Sequence, residues 1–249
     1  MKEYEFQSSK AEEYKALIEE RKRNVIHLSN PDLEEAFGGT GLRKGSIYLV
    51  AASTGVGKTS FLIATAKQLI EQGKKVAYIS VEMAAEDLLE YLLGYDIFVY
   101  EWESDKDNWK EFEDIMQKRN FDIVLYDYIG AEGNIGEWDK LVDFTTGLTH
   151  LAITYNIPVL TACQATAEIR KTNLNDPLLT TTNYISFSKN IANKIASGIY
   201  IVPSTISNQF FLINFKNRYG IRPDCEIKVY LDRAEKKWLP NERKERKLF

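Results

Sequence analysis

The amino-acid sequence predicts an α/β protein: a mainly parallel sheet flanked by helices, with a C-terminal β-hairpin and a short N-terminal helical arm. Three observations carry this expectation. Short apolar runs alternate with helical periodicities along most of the chain, as strands do when helices cover both faces of their sheet. One such run, residues 46–50, leads through a glycine-bearing loop directly into a helical stretch, the setting a phosphate-binding loop requires. Near the end, residues 209–216 and 226–232 alternate with the period of two expected of paired strands.

The totals agree with a globular chain. At 249 residues it can bury a sizeable core, and 44% hydrophobic with 27% charged residues is the balance of a soluble protein. We expect an arm over residues 1–29, one domain over 30–240 and a charged tail over 241–249. A net charge of -4 excludes a surface coated in basic groups, although a local basic patch can still bind nucleic acid. No run of 18 apolar residues exists and the first thirty residues are densely charged, so neither a membrane partner nor a signal peptide is expected. The expected compartment is the cytoplasm. Cys163 and Cys225 fit no metal spacing, and Cys163 in its apolar run reads as a reduced core thiol.

Taken in order, Ser9-Lys10-Ala11-Glu12 has the form of a capping box, with Tyr14, Leu17 and Ile18 following at helical spacing. That stripe is thin, so the helix packs on its own core or docks on a neighbour. Asn30-Pro31 opens a short helix over 32–37, ended by Gly38-Gly39, and residues 41–45 turn into the loop strand. The loop helix extends to about Gln72, where Gly73 suits its C-terminal cap. Further strands are expected over 76–81, 123–127, 158–163 and 199–202. Helices are expected over 83–95, 107–119, 138–155 and 187–196, with aromatic-rich residues between the first two, a glycine-bearing loop at 130–136 and a polar loop from 164 to about 184.

The chemistry centres on Ala51-Ala52-Ser53-Thr54-Gly55-Val56-Gly57-Lys58-Thr59-Ser60. In G-x-x-x-x-G-K-[ST], backbone N–H groups wrap the phosphates and the helix N-terminus adds its positive dipole end. Residues Ser53, Thr54, Gly55, Val56, Gly57, Lys58, Thr59 and Ser60 then form the nucleotide cradle. Lys58 reaches the β/γ-phosphates and the Thr59 hydroxyl holds Mg²⁺. Ala52 stands at the first glycine position, a departure from the pattern. Asp127 ends an apolar strand and, beside the loop, is positioned to hold Mg²⁺ directly or through water. Glu82, after strand 76–81, is either a base for the attacking water or a helix N-terminal glutamate facing the dipole. Gln164 is either a γ-phosphate contact or a solvent-facing loop residue. Lys216 and Arg218 share a strand face, and are either transition-state cations or a solvated hairpin end.

Together these residues resemble a family. Residues 41–60, Ser80-Val81-Glu82-Met83, Asp127-Tyr128, Gln164 and Lys216-Asn217-Arg218-Tyr219-Gly220 follow the order seen in DnaB-type replicative helicases, which belong to the RecA-like ATPases. The resemblance covers about residues 30–238, and Ala52 at the first glycine position is usual in that family. It implies a RecA-like P-loop fold and the cofactors ATP and Mg²⁺. It further implies Glu82 as catalytic base, Gln164 as the link between nucleotide state and DNA loops, and Lys216 and Arg218 as a finger reaching the neighbouring subunit's site. The implied partners are single-stranded DNA, identical subunits in a hexameric ring, and a primase or helicase loader.

Two departures stand out. The family's large N-terminal, primase-contacting domain has no counterpart in the thirty residues before the core, which suggests a phage or mobile-element protein. The arm at 9–24 resembles the linker helix that docks on an adjacent subunit. The DNA-loop region 184–197 lacks the family's Arg-Glu-Ser-Gly run, Ser197 replaces a common Asp, and Lys189 and Asn190 are the best remaining phosphate contacts. The loop after Asp127 carries Glu132 and Glu137 instead of basic residues. The expected function is ATP-driven translocation on single-stranded DNA with unwinding. The alternatives are a recombinase or clock-type ATPase without unwinding, and a nucleotide-gated loader ring that grips a protein.

Overall fold

The apolar runs become the central parallel strands of one sheet, where helices cover both faces. The structure is a computed structural model describing residues 7–102, 108–130, 138–186, 189–223 and 226–239. The acidic loop with Glu132 and Glu137, residues 187–188, Cys225 and the expected tail lie outside the described residues. In chain order the elements are α1 (Ala11–Arg23), β1 (Val25–Ile26), α2 (Pro31–Ala36), β2 (Leu42–Arg43), β3 (Ile47–Ala52), α3 (Lys58–Glu71), β4 (Val76–Ser80) and α4 (Ala85–Leu92). There follow β5 (Phe98–Glu101), α5 (Asn108–Lys118), β6 (Ile123–Ile129), α6 (Trp138–Tyr155), β7 (Val159–Gln164), α7 (Lys189–Lys194), β8 (Ser197–Pro203), β9 (Gln209–Asn217), β10 (Ile227–Asp232) and β11 (Lys237–Leu239).

The main sheet runs β11-β10-β9-β8-β3-β7-β6-β4-β5. From β8 to β5 every pairing is parallel, while β8 through β11 pair antiparallel. A parallel strand buried on both faces needs apolar residues at every position. Accordingly β3 sends Tyr48, Val50 and Ala52 into one core with α3, and Ile47, Leu49 and Ala51 into the other with α6 and α7. This α/β architecture, with its terminal hairpin, is the expected one.

Local differences have physical causes. The Ser9 capping box does not form: Ser8–Lys10 winds as a 3₁₀ turn, so Ser9 is itself helical and Lys10 becomes the α1 N-cap without a side-chain cap bond. Helix α4 starts at Ala85, after the expected Met83. The Ser80 hydroxyl accepts from Met83 N at 3.1 Å and donates to Met83 O at 2.5 Å, holding residues 81–83 in a bend. The aromatic-rich segment contains β5, a half-buried edge strand whose four residues are too few to show a clear period. The polar loop after β7 holds 3₁₀ turns at Ala167–Lys171 and Pro177–Thr180, and β11 adds a third strand to the expected hairpin. Asn30 caps α2 as its sequence implies, its Oδ1 accepting from Asp32 N at 3.0 Å and Leu33 N at 3.1 Å.

The arm behaves differently from the body. Helix α1 buries none of its described side chains, and Leu17 and Ile18 are 55% and 54% exposed. The chain joins the body at β1, which pairs with β2, and Ile26 and Leu28 enter the α3-side core.

The turn after β9 is bound to that N-terminal edge. The Asn217 Oδ1 accepts from Gly220 N at 3.1 Å, and the Arg43 guanidinium stacks 4.5 Å from the Tyr219 ring centre. A Cβ on Gly220 would stand 2.3 Å from the Gly38 carbonyl oxygen. Gly220→Ala should therefore cost about 1–3 kcal/mol, since backbone must move to admit the methyl. Urea unfolding followed by tryptophan fluorescence reads this; a midpoint equal to wild type would mean the turn is not so confined.

Candidate functional site

A loop that bends sharply between strand and helix needs residues free to adopt left-handed backbone. Gly55 and Gly57 supply this, with φ of +74° and +118°. The turn closes where Val56 N donates to Ser53 O at 3.2 Å, and the Val56 side chain anchors it in the core. Gly57 is the N-cap of α3, whose first N–H groups have no intrahelical partners and face outward with the dipole. Residues 53–60 thus make a cradle of N–H donors at the carboxyl end of the central strand.

Parallel registry brings the other ends alongside. Ala52 is level with Gln164 on β7, and Ser80 on β4 is level with Asp127 on β6. Asp127 lies in a bulge of β6, where the β6–β7 register shifts between Tyr126 and Ile129. Its carboxylate is 1% exposed. The Tyr78 hydroxyl donates to Oδ2 at 2.7 Å, while buried Oδ1 has no hydrogen-bond partner. Burial pushes the Asp127 pKa above the usual carboxylate value, against the pull of Tyr78, Thr59 and Lys58. Burial likewise lowers the Lys58 pKa, opposed by the charges of Glu82 and Asp127. Lys58, Asp127, Glu82 and Thr59 therefore share one electrostatic neighbourhood. Glu82 is exposed in the bend before α4 and three residues ahead of its first turn, so it is no helix-terminal residue. Gln164 is no free loop residue either: its Nε2 donates to Thr54 Oγ1 at 3.0 Å.

Thr59 and the unpaired Oδ1 of Asp127 suit a hard divalent cation that also takes phosphate oxygens. Among the described residues no group of three or more His, Cys, Asp or Glu could hold a metal by itself. The Cys163 thiol, pushed up to about 12 by burial, is an inert core group.

Lys216 and Arg218 are not brought to this loop. Lys216 donates to the Ala192 carbonyl, and Arg218 donates to Asn193 O at 2.9 Å, both at the carboxyl end of α7. Burial first, then the nearby Arg218 charge, lowers the Lys216 pKa. Lys189 and Asn190 open α7, and their side chains lie outside the described residues. Ser197 is buried in β8, where its hydroxyl meets Asn214 Nδ2 at 3.1 Å, so it faces the core.

Four further residues join the site. Tyr78 holds Asp127, and Tyr128 presents its ring 4.7 Å from Lys58 Nζ. Arg170 reaches Ser53 and Thr54, and Arg233 donates to Gly55 O at 2.8 Å. Tyr78 follows from the inward alternation of β4 once the sheet order is known. Arg170 and Arg233 had no signal, because each arrives by the path of a turn.

Residues 26–120 match the family model of the DnaB-like helicase C terminal domain. Solved structures with the same fold include a separate ATPase domain, at TM-score 0.74 and 14% identity over 95% of this chain and 100% of that one. A DnaB-like replicative helicase, described with its interactions with primase, also gives TM-score 0.74 and 14% identity over 96% of this chain and 68% of its own. The fold is thus the RecA-like one of DnaB-like helicase ATPase domains. Among curated proteins, the DNA repair protein RadA of Helicobacter pylori is 24% identical in strain ATCC 700392 / 26695 and 25% in strain J99 / ATCC 700824, over 86% of this chain. RadA of Campylobacter jejuni is 47% identical over 51 residues, 20% of this chain and 11% of that protein. The chain spans about half the length of the Helicobacter relatives, 46% of each. No helix among the described residues is long and apolar enough to cross a membrane.

The buried carboxylate makes a pH-dependent prediction. With its pKa raised above the usual 3.8, folded Asp127 holds its proton more tightly than the unfolded chain does. Its stabilising share is therefore full at low pH and is lost as pH rises through the folded value. Tyr78→Phe removes the donor that favours the charged form, so its cost should reach about 1–3 kcal/mol where the folded carboxyl is ionised and shrink as pH falls through the folded pKa. Urea midpoints from neutral pH into the acid range test this; a loss that stays constant after the native carboxyl has been protonated would mean the hydroxyl does not serve the charged carboxylate.

Proposed function

We propose that the chain is an ATP hydrolase forming a hexameric ring on single-stranded DNA, a replicative helicase motor that unwinds duplex ahead of it. The observation that carries this reading is the meeting of Lys58, Thr59, Asp127, Glu82 and Gln164 at one end of the sheet, with Lys216 and Arg218 held apart. The loop N–H groups and Lys58 neutralise the triphosphate. Thr59 and Asp127 would hold Mg²⁺, which would supply charge to offset the phosphates. Glu82 takes a proton from the attacking water as its oxygen bonds to the γ-phosphorus. Gln164, tied to Thr54, senses the γ-phosphate and passes nucleotide state to the segment 184–197. Arg218, with Lys216, belongs to the neighbour's site, where a planar fork stabilises transition-state charge. The exposed Leu17 and Ile18 of α1 supply an apolar stripe for the adjacent subunit.

A specific observation favours a second reading. The curated relatives are DNA repair proteins, and a RecA-like ATPase can act on DNA without unwinding it. Strand displacement on a forked duplex separates the two: ATP-dependent release of the labelled strand supports the helicase. DNA-stimulated ATPase without release supports the second reading, and an ATPase indifferent to DNA sinks both.

The roles within the site have their own tests. Glu82→Gln should bind ATP normally and lose on the order of 10²-fold or more in turnover, because the amide cannot accept the proton. Near-normal steady-state turnover would remove Glu82 from the chemistry. Lys58→Ala and Arg218→Ala should each be nearly inactive alone, yet regain activity when mixed, since a mixed ring contains intact loops facing intact fingers. Arginine fingers supplied in trans contribute roughly 10³–10⁵ in rate, so even a small fraction of complete sites is measurable. Mixed rings that form and stay inactive across all ratios, including ratios with wild type, would overturn the assignment in trans.

A further inference from the structure

Arg170 enters no role assigned so far, yet it is the cation that touches the phosphate loop most extensively. Its Nε donates to Ser53 Oγ at 2.6 Å and its terminal nitrogen donates to the Thr54 carbonyl. A Cβ on Gly55 would stand 3.7 Å from that nitrogen, so the guanidinium lies directly on the loop. No described carboxylate pairs with it. It is exposed, and is delivered by the 3₁₀ turn Ala167–Lys171, whose Ile169 is fully buried and fixes the turn against the core. The same strand end supplies Gln164, whose amide reaches Thr54.

Two cations then border the loop: Arg170 lies on Ser53 and Thr54 at its start, and Lys58 opens α3 at its end. Bringing like charges together in a partly buried site is unfavourable unless an anion stands between them. The lysine of a phosphate loop reaches the β/γ end of the nucleotide, and Arg170 borders the same loop at Ser53 and Thr54. Its present acceptors, one hydroxyl and one carbonyl, are neutral and weaker than a charged phosphate oxygen. A planar fork can keep one hydrogen bond to the loop while turning the other toward an anion.

We propose that Arg170 is a phosphate-contacting residue of its own subunit's site, binding the γ-phosphate in cis together with Lys58. This rests on the ATP-site reading above and adds to it a discriminator between triphosphate and diphosphate. A charge-assisted hydrogen bond to the γ-phosphate alone strengthens triphosphate binding and leaves diphosphate binding nearly unchanged. It also places the sensor on the segment that runs from Gln164 toward 184–197, so the same contact that reads the γ-phosphate holds one end of that segment.

The test compares equilibrium binding of a non-hydrolysable ATP analogue and of ADP, both with Mg²⁺, to wild-type protein, Arg170→Ala, Arg170→Lys and Lys58→Ala. Arg170→Ala should weaken the analogue by about 10–100-fold and ADP by less than about threefold. Arg170→Lys should fall between, because a point charge replaces the fork. Lys58→Ala should weaken both nucleotides. Equal weakening of both ligands by Arg170→Ala would make the arginine a strut for the loop, and no change in either would make its contacts incidental; each overturns the proposal. Wild type binding neither ligand would be a failure of the underlying ATP-site reading, told apart because the Arg170 variants then differ in nothing. Mixing supplies an independent arm. Arg170→Ala with Lys58→Ala should recover no ATPase, because both residues serve the same subunit's site, whereas Arg218→Ala with Lys58→Ala recovers it. Recovery in the first mixture would place Arg170 in the neighbour's site and overturn the assignment in cis.

Discussion

The rest of the site depends on keeping a carboxylate, Asp127, buried at the end of β6. An isolated charge there is costly, and the fold answers it from three directions: the Tyr78 hydroxyl on β4, Thr59 at the start of α3 and the Lys58 ammonium. Tyr78 stands on β4 and Lys58 and Thr59 open α3, so the carboxylate meets its partners only when β4, β6 and the phosphate loop are in register. The compensation is incomplete, since Oδ1 stays without a partner. Under the proposed reading, that residual deficit is what a bound cation would relieve. A fully paired Asp127 would make a more stable protein with less reason to bind metal.

Charge around the loop follows the same logic. Lys58 is buried beneath the Tyr128 ring, Arg170 grips Ser53 and Thr54, and Arg233 holds the Gly55 carbonyl from the β10–β11 turn. Three cations around a cradle of N–H donors produce a positive field at this end of the sheet, strongest where Lys58 is buried. Glu82 and Asp127 set the opposing sign at one side only. A ligand that is anionic along its length and carries a cation near one end matches that distribution, which is the charge pattern of a nucleoside triphosphate with its metal.

Much of this was legible in the sequence, for identifiable reasons. Strands buried on both faces, such as β3 and β6, are continuous apolar runs, and α6 over Trp138–Tyr155 has the expected bounds because its apolar spacing persists through five turns. Glycines marked the loop, and chain order marked the strand ends. What was not legible depends on tertiary partners. The four-residue β5 becomes a strand by pairing with β4, and Ser9 lost its capping role to a 3₁₀ turn. The arginines of the loop were hidden for a stronger reason: a single cation in a polar turn has no periodicity. Its role exists only once that turn has been folded onto another element.

Sheet order also bears on why a site of this kind would be shared between subunits. β9 is separated from β3 by β8 and runs antiparallel to β8, so the turn that carries Arg218 lies beside Ser197 and the start of β3, two strands across and at the opposite end of the sheet from the phosphate loop. Gly220 packs on Gly38 and Tyr219 on Arg43, which turns the loop toward the N-terminal edge, and both cations rest on the carboxyl end of α7. Those carbonyls are weak, exchangeable acceptors compared with phosphate oxygens. In the reading proposed above, a cation so held waits within its own subunit for a stronger partner outside it. Under the proposed reading, the finger's departure from α7 and its arrival at a neighbour are one event, which would couple hydrolysis at one interface to the segment that α7 terminates.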